Sequence, residues 1–366
     1  MCKRIFANQT SEVGEVPFFK IGTIGGCPDA FISKELFEEY KTKYSYPTKG
    51  EIMITCAGTV GKTMQFDGID SYFQDSNIVW IHNPNHLTIN DFLFYVLGKI
   101  NWNKLNSTTI TRIYNDDLRN LIYFAPENAA EQRKIVSLLR LIDSRIETQR
   151  RLIEDLEKLK SSINETLYAT LTTDYQTSFN EIGCDYGGLT GKSAEDFGKG
   201  KPFITYLNVY QNQIITDCNF DYVRIGESEN QNKVRKGDLL FTLSSEIPEE
   251  VGYSAVYMGD AKELYLNSFC FGIHIPESEK VYPPYIGYLT STSYLRRKII
   301  PFAQGSTRFN LHKPSLMNMR FSLPTKENQI TIFNTLQLLT DKILTETETL
   351  TRFIQQRSYM LSKMFI

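Results

Sequence analysis

The sequence predicts an α+β protein with two similar globular domains, each followed by a long helix, the two helices pairing as an antiparallel coiled coil in a pseudo-two-fold internal repeat. Three observations predict it. Matched segments recur along the chain; β-branched and aromatic runs alternate with Gly, Asn and Asp clusters; and a heptad stripe closes each half. At 366 residues and 41% hydrophobic, the chain is long enough to bury more than one core.

The repeat fixes the order of elements. Pro17-Phe18-Phe19-Lys20-Ile21 is echoed by Pro202-Phe203-Ile204-Thr205-Tyr206, and Lys49-Gly50-Glu51-Ile52-Met53-Ile54-Thr55 by Lys236-Gly237-Asp238-Leu239-Leu240-Phe241-Thr242. Asp75-Ser76-Asn77 answers Asn267-Ser268-Phe269 more weakly. Thr111-Arg112-Ile113 parallels Thr307-Arg308-Phe309, and Tyr123-Phe124-Ala125-Pro126 parallels Phe321-Ser322-Leu323-Pro324. The offset grows from 185 at Pro17 to 198 at Pro126, which places an insertion in the second copy, chiefly around Glu246 to Glu250. The expected boundaries are a first domain over 1–126, a helix over 127–170, a second domain over 171–324 and a helix over 325–366.

Both helices begin with clear signals: Pro126, Glu127 and Glu131 before the first stripe, Pro324, Thr325 and Glu327 before the second. Alternating steps of three and four give Leu139, Ile142, Ile146, Gln149, Ile153, Leu156, Lys160, Ile163 and Leu167 in the first. The same steps give Leu336, Leu339, Ile343, Glu346, Leu350, Phe353, Arg357, Met360 and Met364 in the second. The fourth and seventh positions are polar in both. An antiparallel register that sets Lys160 against Glu346 and Gln149 against Arg357 pairs every polar seam residue, whereas a parallel one brings Lys160 beside Arg357, a costly juxtaposition of like charges. About 40 residues at 1.5 Å each make a rod of roughly 60 Å, long enough to space two globular domains.

Composition removes several classes of function. The first ten residues have no apolar signal core, and the longest apolar run, Phe92 to Leu97, is too short to span a bilayer, so a cytoplasmic protein without a membrane partner is expected. Six cysteines form no C-x-x-C pair, and the four histidines join them in no metal-ligand pattern. Gly58-Thr59-Val60-Gly61-Lys62 resembles a phosphate loop, but Cys56 stands where the first glycine of that motif belongs; Tyr186 does the same in Tyr186-Gly187-Gly188-Leu189-Thr190-Gly191-Lys192-Ser193. Tyr282-Pro283-Pro284-Tyr285 resembles the tetrad of adenine methyltransferases with a tyrosine replacing its polar first residue, and no methyl-donor glycine motif precedes it. No catalytic or metal site is expected.

Binding remains. Polar, glycine-bearing loops recur at matching places: Gly58 to Lys62 against Ser244 to Gly252, and Asn106 to Arg112 against Gln304 to Arg308. Hydroxyls and amines suit phosphate oxygens, while Arg and Gln can bond base edges through two atoms at once. The candidates for DNA contact are Lys62, Ser107, Thr109 and Arg112 in the first copy and Lys199, Lys201, Gln304, Ser306, Thr307 and Arg308 in the second. Further basic groups are Lys233, Arg235 and Lys236, and Arg296 to Lys298. For any one of these a solvated surface charge is the plainer account, and the net charge of −2 gives no overall attraction to nucleic acid.

Two globular copies with trailing helices, Lys49-Gly50-Glu51-Ile52-Met53-Ile54 with Gly58-Thr59-Val60-Gly61-Lys62, Phe73-Gln74-Asp75-Ser76-Asn77, and Pro126 through Glu131-Gln132-Arg133-Lys134-Ile135, together resemble the specificity subunit of type I restriction-modification systems over nearly the whole chain. The resemblance implies two target recognition domains, each reading one half of a bipartite site in double-stranded DNA, with the helices setting the gap. It implies two modification (methyltransferase) subunits and restriction subunits as partners, and places S-adenosylmethionine, ATP and magnesium in them, none in this chain. One departure stands out: about thirty residues precede Pro202 after the first helix but only sixteen precede Pro17, so the first domain is expected to lack an initial strand or loop. The alternative is a coiled-coil scaffold whose globular ends bind proteins, with no DNA involved.

Overall fold

A computed structural model describes residues 1–74, 77–84, 88–102, 112–170, 175–217 and 219–364. The chain divides into two compact units, residues 1–150 with 348–366, and residues 151–347.

Unit 1 contains β1 (Val16–Phe19), β2 (Phe31–Ile32), α1 (Lys34–Lys43), β3 (Ile52–Thr55), β4 (Thr63–Gln65), β5 (Tyr72–Phe73), β6 (Ile78–Ile81), α2 (Asn90–Lys99), α3 (Asn115–Arg119) and the first half of α4 (Ala129–Thr170). Its sheets run β2-β1-β5 and β4-β3-β6. All four residues of β3 are buried, as a central strand covered on both faces requires. One core packs Ile52 and Ile54 against α2 and the start of α4; another packs Met53 and Ile78 against β1, β5 and Phe37 of α1.

Unit 2 repeats this plan with additions. It contains β7 (Tyr175–Ser178), α5 (Phe179–Ile182), β8 (Cys184–Gly187), β9 (Phe197–Ile204), α6 (Tyr206–Gln211), β10 (Ile214–Ile215), β11 (Asp221–Val223), β12 (Leu239–Thr242), β13 (Ser244–Ser245), β14 (Ser254–Tyr257), β15 (Tyr265–Leu266) and β16 (Cys270–His274). There follow α7 (Pro283–Leu289), α8 (Ser293–Ile299), β17 (Ala303–Gln304), β18 (Phe309–Leu311), α9 (Lys313–Asn318), β19 (Arg320–Leu323) and the first part of α10 (Lys326–Met364), whose remainder belongs to unit 1. The sheet β10-β14-β12-β16-β8 holds the counterpart of β4-β3-β6 at its centre. Among the described residues, unit 1 has no counterparts to the outer strands β8 and β10.

Hydrogen bonds show why the repeated motif reads Lys-Gly-acid. Gly50 and Gly237 both take φ of +89°, a left-handed conformation that glycine adopts without strain. Their N–H groups donate to Phe66 and Tyr257 carbonyls across the turn. The following acid caps that turn: Glu51 Oε2 accepts from Thr48 N at 2.8 Å, and Asp238 Oδ2 from Arg235 N at 2.7 Å. The motif is thus a device for entering the central strand.

A second matched device joins each globular part to its helix. Gln132 is fully buried; its Oε1 accepts from Ile89 N at 2.8 Å and its Nε2 donates to Pro126 O at 2.7 Å. Gln329, also fully buried, accepts from Tyr282 N at 2.8 Å and donates to Pro324 O and Lys280 O, each at 2.8 Å. Ile89 and Tyr282 are the residues immediately before α2 and α7, so each glutamine ties the start of a domain helix to the start of a long one.

The long helices run antiparallel in both units. In unit 1, Leu139 near the start of α4 shares a core with Met360, Leu361 and Met364 near the end of α10; in unit 2, Ile163 and Leu167 near the end of α4 share one with Ile332 and Leu336 near the start of α10. Leu139, Ile142, Ile146 and Leu336 are buried, while Ile153, Leu156, Leu339, Ile343, Leu350 and Phe353 are half-buried.

The polar register differs from the one proposed from sequence. Arg357 bonds Asp143, six residues before the expected Gln149. Lys160 turns toward the domain, 3.4 Å from Gln213 Oε1 and 5.1 Å from the centre of the Tyr288 ring, and burial holds its ammonium below the usual lysine range. Glu346 pairs with Lys342 one turn away. Heptad counting identifies the buried stripe but not the axial offset, which the apolar contacts and the domain surfaces beside the helices decide.

Two outcomes follow from this packing. Replacing Gln329 or Gln132 by alanine strands two or three buried backbone groups, so each substitution is expected to cost about 2–4 kcal/mol, with amide exchange rising at Tyr282 or Ile89 respectively. Lys160→Met keeps the packed stem and is expected to leave stability within about 1 kcal/mol of the native value, whereas Lys160→Glu destabilises without rescue by Glu346→Lys; denaturant unfolding of the four proteins decides.

Candidate nucleic-acid interface

In unit 2 four of the six sequence candidates share one turn. The small sheet β13-β18-β17 carries the turn Gly305 to Arg308 at one end, with Gln304, Ser306, Thr307 and Arg308 all exposed. Gly305 takes φ of +137°, and a Cβ there would stand 2.2 Å from the Arg308 carbonyl oxygen, so the turn closes only with glycine. Arg308 is held from two sides: its Nε donates to Ser244 Oγ at 3.2 Å, and its guanidinium lies 5.4 Å from the centre of the exposed Phe269 ring.

Beside that turn lies the insertion. Thr55 N and Thr242 N donate to the carbonyls of Lys62 and Tyr253, so these two residues are equivalent in backbone position. Six residues lie between the first pair and ten between the second, which makes the unit 2 loop four residues longer. Arg296 fixes its base by donating to the carbonyls of Glu249 at 2.7 Å, Val251 at 2.7 Å and Gly252 at 3.1 Å while stacking on Tyr253. Glu250 accepts from Ser245 Oγ at 3.1 Å, and Ser245 Oγ accepts from Ile247 N at 3.2 Å.

In unit 1 the corresponding turn is tight. Gly58 and Gly61 have φ of +67° and +84°, and a Cβ on Gly61 would fall 2.1 Å from the buried Trp102 ring. Thr55 Oγ1 accepts from Lys62 N at 3.0 Å and donates to Thr59 O. The nested amides of a nucleotide loop are therefore spent internally. The Lys62 side chain is exposed, and its ammonium makes no hydrogen bond or ion pair among the described residues. Arg112 is half-buried; its charge eases the Cys56 thiol downward, although burial raises that thiol to about 11. Ser107 and Thr109 lie outside the described residues.

The match of Arg112 to Arg308 requires correction. Cys56 and Leu243 are equivalent, their amides donating to Asn77 O and Phe269 O, and their carbonyls accept from Ile113 N and Leu311 N. Arg112 therefore stands where unit 2 has Asn310, two residues beyond Arg308. The shared Thr-Arg-apolar letters concealed a two-residue shift.

Several basic groups serve internal bonds. Lys201 and Lys233 share Glu263, and Lys236 pairs with Asp260 at 2.8 Å. Arg297 donates to Ser293 Oγ at 3.2 Å and Lys298 to Arg320 O at 2.8 Å. Lys199 is exposed on β9 and makes no such contact among the described residues.

Each copy also sets a histidine on its turn-capping acid: His82 Nδ1 lies 2.7 Å from Glu51 Oε1, and His274 Nδ1 2.8 Å from Asp238 Oδ1. Unit 2 adds Tyr186, which stacks on His274 and donates to Asp238 Oδ2 at 2.8 Å. Burial pushes the Asp238 carboxyl upward, against the pull of those bonds. Among the described residues no group of three His, Cys, Asp or Glu side chains is placed to hold a metal ion, and no helix is long and apolar enough to cross a membrane.

Sequence reasoning missed the capping role of Glu51 and Asp238, the paired glutamines and the anchoring role of Arg296. The glutamines carried a usable signal, six and five residues after Pro126 and Pro324 in matching helix starts. Arg296→Ala removes the donor to three loop carbonyls and is expected to raise amide exchange and protease cutting across 246–252 while leaving β12 protected.

Comparison with known proteins agrees with the two-copy plan. The family model described as "Type I restriction modification DNA specificity domain" matches residues 1–158 and again 181–353. A Haemophilus influenzae protein named as a putative type I restriction enzyme specificity subunit is 52% identical over 139 residues, covering 38% of this chain and 36% of the relative, so little more than a third of that protein is matched. The crystal structure of a type I restriction-modification S subunit from M. genitalium superposes with a TM-score of 0.55 at 16% identity, covering 100% of this chain and 92% of that one. A chain from a structural study of complex assembly and conformational transition in the type I system gives 0.58 at 15% identity, covering 94% and 90%. At those identities the likeness establishes the fold.

Proposed function

Because the chain belongs to the type I restriction-modification DNA specificity family, we propose that it selects the DNA target of such a complex, each globular copy reading one half of a bipartite site. The observation that carries this reading is the family match to two separate segments, one per copy, joined to a structure in which one strand plan bears different loops in each. Lys62 in one copy and the Gln304 to Arg308 turn in the other are exposed and chemically suited to phosphate and base edges.

In this role the chain carries no catalytic centre. Two modification subunits supply S-adenosylmethionine and adenine methylation, and restriction subunits supply ATP- and magnesium-dependent movement and cleavage. The partners contribute positive surface around the duplex, which reconciles a specificity role with a net charge of −2. Arg308 and Lys62 make the contacts this chain supplies for itself.

The test is capture of the full chain with its partners from the source cell, paired with methylation sequencing of that cell's DNA with and without the gene. Recovery of a methyltransferase subunit, and loss of methyl-adenine at one split motif when the gene is removed, is the expected result. Unchanged methylation with a partner of another kind would support a protein scaffold instead.

A further inference from the structure

We infer that Glu246 and Arg308 together read one C·G base pair in the half-site bound by unit 2, the carboxylate accepting from the cytosine amino group and the guanidinium donating to guanine O6 and N7. This rests on the DNA-specificity role proposed above and names residues within it.

The geometry begins with register. Strands β13 and β18 pair antiparallel with Ser244 opposite Asn310 and Ser245 opposite Phe309, so Glu246, which follows β13, and Arg308, which precedes β18, flank the same end of this ladder. Both side chains leave the end of the same small sheet, at the mouths of two adjacent turns whose backbones are fixed: Gly305 closes one, and Arg296 with the Ser245 hydroxyl fastens the other. Arg308 uses only Nε on Ser244 Oγ. Its two terminal nitrogens, with four N–H groups, remain for a ligand, which is what a two-atom guanine contact needs.

Glu246 is the unexpected member. It is exposed and makes no hydrogen bond or ion pair among the described residues. Its neighbour in the loop, Glu250, is occupied by Ser245. A free carboxylate on a surface that meets phosphate repels the backbone, so such a position is unfavourable unless the carboxylate reaches past the phosphates to a donor. In the major groove the strong donors on base edges are the amino groups of cytosine and adenine, and only in a C·G pair does that donor lie beside the paired acceptors O6 and N7 that suit arginine. Opposite charges flanking one end of the ladder thus match opposite hydrogen-bonding character across one base pair. The insertion that brings Glu246 here has no counterpart in the shorter unit 1 turn, so the two copies are built to read different half-sites.

The test replaces the native gene by Glu246→Gln and, separately, Arg308→Ala, and reads methylated motifs in the source cell by sequencing. Both residues are exposed, so both variants are expected to fold, and the amount of intact chain in each cell checks this. The native motif is expected to contain a C·G pair in one half at which both variants relax selectivity by about ten- to a hundredfold, the other half remaining unchanged. A native split motif that neither variant alters, or that the two alter at different positions, overturns the shared contact while leaving the specificity role standing. If no methylated motif depends on the native gene, the specificity role fails and this contact with it.

Discussion

The rest of the structure depends on a buried glutamine. A globular copy and its long helix meet at a point where two helix starts converge, and the backbone groups there have no partner within either helix. Gln132 and Gln329 fill that need from opposite ends of one amide, accepting from the residue before the domain helix and donating to the carbonyl of the proline that precedes the long helix. An aliphatic residue of similar size would leave those groups buried and unpaired. Because the amide is rigid and bonded at both ends, each long helix leaves its domain in a fixed direction.

That constraint gives the matched loops a use. A turn that contacts DNA is informative only if it is held in place, and here each layer holds the next. The left-handed glycine and capping acid start the central strand; the strand positions the threonine that organises the following turn; in unit 2, Arg296 pins the longer loop that the insertion creates. Side chains at the ends can then vary while the frame persists. Lys62 and Tyr253 occupy one backbone position with unrelated chemistry, and Arg112 stands where the second copy has Asn310. Two copies of one frame thereby present different chemistry at matching places, as the proposed role requires.

Much of the frame was legible in the sequence because it is written in local periodicity and repetition. The heptad stripe picked out Leu139, Ile142 and Leu336 for burial, and the Lys-Gly-acid echo located both central strands. The growing offset did not locate the added residues: only four lie between Thr242 and Tyr253, and a larger step of six falls between Asn77/Phe269 and Ile113/Leu311, so the insertion is not chiefly around Glu246 to Glu250. What was not legible depends on tertiary neighbours. Nothing near Arg357 in sequence indicates that Asp143 is its partner, and Lys160 faces Gln213 and Tyr288 because the domain surface is there to meet it. The basic groups at Lys233 and Arg296 look available in a linear chain, yet they serve Glu263 and three loop carbonyls in the fold. Arg112 was matched to Arg308 by identical letters, whereas the hydrogen bonds of Ile113 and Leu311 set the true equivalence.

In the proposed role, two copies of one frame read two separated pieces of DNA. Hydroxyl-radical footprinting of the complex captured with this chain, on DNA carrying the methylated motif, tests it most directly. Two sequence-positioned patches of protection, separated by a stretch whose base sequence can be changed without moving either, are expected. A single continuous patch, or protection that does not follow the motif, would contradict it.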